Sequence, residues 1–212
     1  MITPLLGLIN ANLANLATII FRKWLTTTAS PIKLSLDSIA NYKNGLAMQK
    51  FRPTIEKESL PVLKIRELNQ GYTDDNSDRC TLKIPNSVKI NTGDIIFSWS
   101  GTLSIDMWSG EQAGLNQHLF KVTSDIYPAW FIFEWTKYYL QEFKQIAKAK
   151  ATTMGHIKRA DLKNSIAIIP TKSELMILDN EIRPLFEQQK LIRMENNNLI
   201  KIKTQLLTRL LN

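Results

Sequence analysis

The sequence predicts an α+β fold, in which a mixed domain of helices and strands lies between an N-terminal helix and a long C-terminal coiled-coil helix. Two observations lead to this prediction. Apolar residues recur at helical spacing at both ends of the chain. Short apolar runs separated by turn residues fill the middle. The expected parts are an N-terminal helix over 1–28, a mixed domain over 29–170 and a C-terminal helix over 171–212.

The N-terminal helix is predicted from five apolar residues at spacings of 4, 3, 4 and 4, which form one helix face of about five turns. These residues are Ile9, Leu13, Leu16, Ile20 and Trp24. The threonine-rich run that ends in Pro31 favours turns and terminates the helix. Three asparagines interrupt the apolar start, and neither a basic beginning nor a small-residue cleavage site is present. We therefore expect a soluble, cytoplasmic protein without a membrane segment.

The middle of the chain predicts several short strands followed by a helix. Alternation at Val88, Ile90 and then Ile95 onward is typical of half-buried strands, with Ile95–Phe97 itself buried. A helical aromatic segment is expected from Ala129 to about Lys150. The runs expected to form strands are Pro61–Ile65, Leu82–Ile84, Gly93–Trp99 and Leu119–Val122.

The C-terminal helix is predicted to begin with a capping box formed by Thr171 and Glu174. Two residue series then alternate at spacings of 4 and 3, which is typical of a coiled-coil seam. Polar residues in one series lower stability but can fix register and partner. Pro184 either kinks this helix or lies in its first turn. The apolar series is Leu178, Leu185, Ile192, Leu199 and Leu206, and the mixed series is Ile182, Gln189, Asn196, Lys203 and Leu210.

The seam has two interpretations. The C-terminal helix can fold back on the N-terminal helix, or its apolar stripe can meet a second copy or another subunit. Both can hold, because a short helix covers only part of a long one. The residues predicted to contact a partner helix are Leu178, Leu185, Ile192, Asn196, Leu199 and Leu206.

The charge balance favours a polyanionic partner such as nucleic acid. The chain has 27 basic and 19 acidic residues, which give a net charge of +8. The segment 143–160 contains five basic residues and no acidic one, together with hydroxyl and imidazole groups that can bond to phosphates or base edges. The alternative interpretation is a solvated basic helix end followed by a loop.

A search for catalytic motifs finds little. Glycine-rich phosphate loops and a Gly-x-Ser-x-Gly motif are absent from the sequence. Only two histidines and the single Cys80 are present, so a histidine-rich or thiolate metal site and an internal disulfide are excluded. A weak nuclease-like pattern consists of Asp125, Glu142 and Lys144, but the last two would diverge on a helix. We therefore expect a protein without catalysis, metal or cofactor of its own.

Four segments resemble one known family. Gly93–Val122 is similar to the central signature of target-recognition domains in Type I restriction-modification specificity subunits. Thr152–Pro170 resembles the end of such a domain. Ala11–Leu25 and Glu195–Asn212 resemble the helical spacers that flank it. The resemblance covers most of the chain and is weakest over 40–90.

The resemblance implies a role in recognition of double-stranded DNA. Specificity subunits of this family carry two recognition domains, each reading half of a split target, and their helices dock the modification subunits. Those subunits bind S-adenosylmethionine and methylate adenine, and restriction subunits join for cleavage. This sequence has one such domain, which implies a half-length form that pairs as a homodimer or with a second half-subunit. A two-fold dimer would read a gapped inverted repeat.

The predicted DNA contacts lie mainly in one basic segment, with two further residues in the family signature. For the latter pair, a framework role and DNA contact are both open, whereas Trp99 and Trp108 are expected in the core. Asn116–His118 are expected to maintain the fold, and Tyr72–Arg79 to form a loop rather than a base-reading surface. The predicted contacts are Lys148, Lys150, Thr152, Thr153, His156, Lys158 and Arg159, with Ser100 and Thr102.

Two other function classes stay open at this point. One is a coiled-coil assembly or adaptor protein that reads no DNA target. The other, much weaker, is a metal-dependent nuclease. Salt-dependent binding to duplex DNA distinguishes the first from a recognition subunit, and magnesium-dependent cleavage by the isolated chain would support the second.

Overall fold

The structure is a computed structural model that describes residues 4–55, 58–149 and 155–211. The chain divides into two compact units, one formed by 1–29 with 170–212 and the other by 30–169. Within the described residues the helices are α1 (Pro4–Thr27), α2 (Leu36–Ile39), α3 (Ile65–Gln70), α4 (Ala129–Tyr138), α5 (Leu140–Ala149), α6 (Arg159–Asn164) and α7 (Lys172–Leu211). The strands are β1 (Lys33–Ser35), β2 (Asn41–Asn44), β3 (Ser59–Leu63), β4 (Arg79–Thr81), β5 (Lys89–Ile90), β6 (Ile95–Ser98), β7 (Ser104–Met107), β8 (Ala113–Leu115), β9 (Leu119–Thr123) and β10 (Ile166–Ile168).

The first unit is a hairpin of α1 and α7. The indole Nε1 of Trp24, near the end of α1, donates to Glu174 Oε1 at 3.1 Å, and the Thr28 hydroxyl donates to the same oxygen at 2.7 Å. Apolar residues of both helices are buried in the hairpin, so the first interpretation of the seam holds for this part of α7. They are Ala17, Phe21 and Trp24 of α1 with Leu178, Ile182, Phe186 and Ile192 of α7.

The beginning of α7 confirms the predicted capping box. The Thr171 backbone N–H donates to Glu174 Oε2 at 2.8 Å, and the Glu174 backbone N–H donates to Thr171 Oγ1 at 3.3 Å. These two bonds satisfy N–H groups that have no partner within the helix. Pro184 lies inside α7 rather than in its first turn.

By length and composition alone, α1 is long and apolar enough to cross a membrane, and most of it is exposed in the structure. A helix near the N-terminus meets this criterion in soluble proteins as well, so the property indicates only that much of α1 has an exposed apolar surface.

The described residues of the second unit form three sheets. One is the antiparallel pair β1–β10, and another is antiparallel with the strand order β2-β9-β6-β7. The third is mixed, with the order β4-β3-β8-β5, and its β3 and β8 are parallel. Strands and helices thus alternate irregularly along the unit, and the predicted α+β class is confirmed.

Buried residues of β6 pack with buried residues of β2 and of the aromatic helices. All four residues of β6 are buried, so this strand is covered on both faces, as predicted for Ile95–Phe97. The Phe97 ring lies 5.8 Å from that of Phe143 on α5 and 6.3 Å from that of Tyr42 on β2. The Tyr42 hydroxyl is hydrogen-bonded to Thr136 of α4 at 2.7 Å.

Two elements differ from their predictions. The expected helix over 129–150 is broken into α4 and α5 at Tyr139. The Tyr139 hydroxyl donates to the Ile166 carbonyl at 2.8 Å and accepts from the Ile166 N–H at 2.9 Å, and this holds the break against β10. The strand expected at Leu82–Ile84 lies earlier, at β4, because the Lys83 N–H bonds to Thr81 Oγ1 at 3.3 Å and turns the chain.

We predict that Glu174 makes the hairpin sensitive to acid. The hydrogen bond from Thr28 and those from Thr171 lower the pKa of its carboxyl from 4.5 to about 2. A carboxyl group whose pKa is lower in the folded protein than in the unfolded chain stabilises the fold at pH values above the unfolded pKa. This stabilisation is lost as the pH falls from 4.5 towards 2. Glu174→Gln should therefore flatten the decline of the thermal midpoint over this range, measured by circular dichroism at 222 nm.

The matched control is Glu195→Gln, which changes an exposed glutamate on the same helix. Its midpoint should decline with pH as in the natural protein. An equal decline in the Glu174 variant would contradict a role for this carboxylate in the hairpin.

Candidate nucleic-acid interface

Three separate segments of the second unit meet at the end of β6. The Gly101 N–H donates to the Gly155 carbonyl at 2.9 Å, and the Ile157 N–H donates to the Trp99 carbonyl at 3.1 Å. The Trp99 N–H donates to the carbonyl of His118. The turn after β6, the turn before β9 and the segment 155–159 thus form one surface, which we call the Trp99 surface.

The turn after β6 depends on a glycine. Gly101 has a φ of +67°, a conformation that residues with a Cβ rarely adopt. The Ser98 hydroxyl donates to the Ser100 carbonyl at 3.2 Å and tightens the same turn. As a result Ser100 pairs with His156 in an isolated antiparallel bridge, so two of the predicted site residues come together.

The ring of Trp99 lies at the centre of this surface. It is stacked on Phe120 with centroids 5.5 Å apart, and both His118 and His156 lie 6.2 Å from it. Trp99 is half-buried. The expectation that both signature tryptophans are core residues is therefore right for the fully buried Trp108 and wrong for Trp99, because Trp99 follows the strand where the chain reaches the surface.

The residues before β9 form a hydrogen-bond network. The His118 N–H donates to Asn116 Oδ1 at 3.2 Å, and Gln117 Nε2 lies 3.3 Å from His118 Nε2. The Ser100 hydroxyl is 3.2 Å from His118 Nδ1, and Ser100 is only 3% exposed. The Ser100 hydroxyl is therefore buried against the histidine, and this burial favours the framework role of Ser100 over DNA contact. Thr102, two residues further, is exposed.

A close backbone approach brings the end of α5 to the same surface. A Cβ atom at position 155 would lie 2.7 Å from the Ala147 carbonyl oxygen, so only glycine fits here. Lys148 follows Ala147 and is exposed in the last turn of α5. The predicted residues Lys148 and His156 are thus on neighbouring segments.

Two further cations among the predicted DNA contacts, Lys158 and Arg159, have different surroundings. Lys158 is exposed, and its backbone N–H donates to Asp161 Oδ2 at 2.7 Å, which caps α6. Arg159 donates from Nη2 to the Tyr42 carbonyl at 3.0 Å, and its Cζ lies 5.5 Å from the Phe120 ring centroid. Its guanidinium has five N–H donors, so these contacts leave others for a phosphate.

Three predicted contacts, Lys150, Thr152 and Thr153, lie outside the described residues. Conversely, the structure adds one residue that the sequence did not indicate. Asn44 comes to the surface through the pairing of β2 with β9, and its Oδ1 accepts from Trp99 Nε1 at 3.1 Å. It lies in the region where the family resemblance is weakest, and a single asparagine carries no signal of its own.

Tyr42 is buried beneath this surface. Burial raises the pKa of the Tyr42 hydroxyl far above its ordinary value, so this group stays protonated beneath Arg159. Over the described ranges, no group of three or more His, Cys, Asp and Glu side chains could hold a metal ion.

Comparison with known proteins decides the family. A family model described as the Type I restriction modification DNA specificity domain matches residues 33–210. The chain belongs to this family. The resemblance that the four sequence segments indicated is therefore confirmed.

The chain is similar in sequence to one characterised specificity subunit. The chain is 27% identical over 159 residues to the Type I restriction enzyme EcoBI specificity subunit of Escherichia coli. That match covers 74% of this chain and 32% of the relative, so the chain spans about a third of that protein.

Solved structures of the family share the fold. The HsdS subunit from Thermoanaerobacter tengcongensis matches with a TM-score of 0.54 and 14% identity, over 91% of this chain and 47% of that one. A Type I S subunit from M. genitalium matches with a TM-score of 0.51 and 14% identity, over 96% of this chain and 57% of that one. The predicted arrangement, a mixed domain flanked by two helices, is thus a fold of this family.

We predict that Gly155→Ala disrupts the Trp99 surface. The added methyl group would overlap the Ala147 carbonyl, and forcing this overlap should cost about 1–3 kcal/mol of the free energy of unfolding. The measurement is urea denaturation followed by circular dichroism. Thr102→Ala, at an exposed site on the same surface, is the control and should change stability by less than about 0.5 kcal/mol. Equal stability of both variants would contradict the close approach.

Proposed function

We propose that the chain is a non-catalytic subunit of a Type I restriction-modification system that recognises a sequence in double-stranded DNA and reads one half-site. The observation that supports this most strongly is the Trp99 surface, where exposed cations and exposed polar groups from separate segments lie side by side. The family assignment and the net charge of +8 agree with it.

The contacts divide by chemistry. The cations Lys148, Lys158 and Arg159 are suited to phosphates, which position a protein on DNA without reading its sequence. The exposed Thr102 and the half-buried His156 offer hydroxyl and imidazole groups to base edges. Lys150, Thr152 and Thr153 belong to the same basic segment and are proposed as contacts on its sequence alone.

The helical hairpin is the proposed docking surface for the modification subunits and, through them, for the restriction subunit. Its α1 exposes Leu5, Leu8, Leu16 and Ile19, which is more apolar surface than a solvated helix needs. A groove of about 580 Å³ runs between α1 and α7 and is lined by apolar residues such as Leu16, Ile20 and Ile177. S-adenosylmethionine is proposed to bind the modification subunit, so that this chain needs no cofactor.

The distal part of α7 is proposed to pair with a second copy of the chain or with another half-subunit. Leu178, Ile192 and Asn196 of the predicted seam are buried within the chain, and Leu185 is half-buried. By contrast, Leu199 is 41% exposed and Leu206 is 52% exposed. A two-fold homodimer through this distal seam would present two recognition domains to an inverted repeat.

We further propose that the protein acts in the cytoplasm, where its DNA target lies. The apolar surface of α1 is then explained by helix packing in the hairpin and by partner subunits. An assembly or adaptor protein that reads no DNA is not favoured, because the family model that matches residues 33–210 is that of a DNA specificity domain. Binding to duplex DNA separates the two.

We predict that the basic segment binds phosphates. Lys148→Gln with Lys158→Gln should weaken binding to all duplexes and reduce the slope of log K against log salt by roughly 2, since each phosphate contact contributes about 0.9. The measurement is fluorescence anisotropy with labelled duplexes across a salt series. Lys83→Gln removes an exposed cation outside the Trp99 surface and should leave the slope unchanged. An unchanged slope in the double variant would exclude this segment from the interface.

We predict that cells expressing this chain with its cognate modification subunit methylate adenine in a gapped inverted repeat, absent with the modification subunit alone. Leu199→Lys with Leu206→Lys should abolish this motif, because two charges at the distal seam oppose pairing. Thr208→Lys adds charge to the same half of α7 outside the seam and is the control. The measurement is a genome-wide methylation map, with the oligomeric state determined by light scattering. Absence of any new motif would contradict the proposed function.

A further inference from the structure

The orientation of the Asn44 amide is set by its neighbour. Trp99 Nε1 carries a hydrogen and can only donate, so the atom facing it at 3.1 Å must be the amide oxygen. The two ends of an asparagine amide are chemically different, and this bond therefore fixes which end remains outward. Asn44 is exposed at the end of β2.

The indole that holds Asn44 is itself held from several sides. Its ring is stacked on Phe120, with His118 and His156 on other sides, and its backbone carbonyl binds the N–H of Ile157. Phe120 belongs to β9, which pairs with β2 so that Asn44 lies opposite Phe120. The Asn44 amide is thus ordered before any ligand arrives, and binding loses little side-chain entropy.

The outward end of the amide is its NH2 group, which carries two donors. Within the described residues, Asn44 Nδ2 makes no hydrogen bond, whereas Oδ1 is bonded to the indole. An asparagine that reads adenine uses both ends, since its oxygen accepts from N6 while its nitrogen donates to N7. Because the indole holds the oxygen against Trp99, the end of the amide that faces outward is the NH2 group, which only donates. Guanine is the base whose major-groove edge presents two acceptors, O6 and N7.

We propose that Asn44 determines specificity for a guanine at one position of the half-site, and that Trp99 is its positioning residue. This inference rests on the proposed function and adds the base class and the residue that reads it. Asn44 is on the same surface as the half-buried His156 and the exposed Thr102, next to the cations that are suited to phosphates. Phosphate contacts would bring the duplex to the surface, and the amide would then reach one base edge.

The test is selection from a randomised duplex library by the full chain together with its modification subunit, followed by sequencing. The natural chain should select guanine at one position. Asn44→Ala should reduce the preference there at least tenfold while the other positions keep theirs. Trp99→Phe preserves an aromatic ring on Phe120 but removes the indole donor, and it should relax the same position. Asn41→Ala, at the exposed other end of β2, is the matched control and should change nothing.

The outcomes separate this inference from the proposed function. If the natural chain shows no sequence preference at all, the proposed function fails. If the natural chain is selective and Asn44→Ala keeps the preference at every position, the inference fails alone. Loss of a preference for adenine, cytosine or thymine at that position would overturn the assignment of guanine. A uniform loss of affinity without relaxation at one position would show that Asn44 and Trp99 have only a structural role.

Discussion

Burial of strand β6 on both faces is the constraint on which the recognition domain depends. Its four side chains are buried, and its backbone is bonded to β7 on one side and β9 on the other. A one-residue shift would exchange the two faces and move Phe97 away from Tyr42 and Phe143. The point at which β6 ends is therefore fixed, and with it the place where Trp99 and Gly101 leave the core and meet residues 155–159.

The charges of the domain are arranged so that its acidic residues compensate basic ones locally. Glu67 is only 1% exposed, and it accepts hydrogen bonds from Arg66 at 2.6 Å and from Ser77 at 3.1 Å. Asp74 is paired with the same arginine, and Asp78 with Lys64. These contacts order the loop that follows α3, as expected for Tyr72–Arg79. The exposed cations Lys148 and Lys158 lie outside this network and are available to a polyanion.

The proximal and distal parts of α7 differ in burial. The proximal part of α7 is covered within the chain, and it buries Gln189 and Asn196 beside Ile182 and Ile192. Polar groups at such positions favour one register over its alternatives at some expense of stability. The distal part keeps the same heptad pattern with exposed leucines. The same heptad periodicity thus places apolar residues in an internal helix contact in the proximal part and on an exposed surface in the distal part.

Local patterns in the sequence were sufficient to predict several features of the fold. Periodicity identified both terminal helices, the Thr171–Glu174 spacing identified the cap, and the apolar run identified β6, because each depends on neighbours within one or two turns of chain. The family signature was visible for the same reason. Tertiary structure alone decided the rest: it broke the aromatic helix at Tyr139, buried Ser100 against His118 and brought Asn44 to Trp99 across 55 residues. These outcomes follow from contacts between distant segments, and such contacts leave no periodic trace in the sequence.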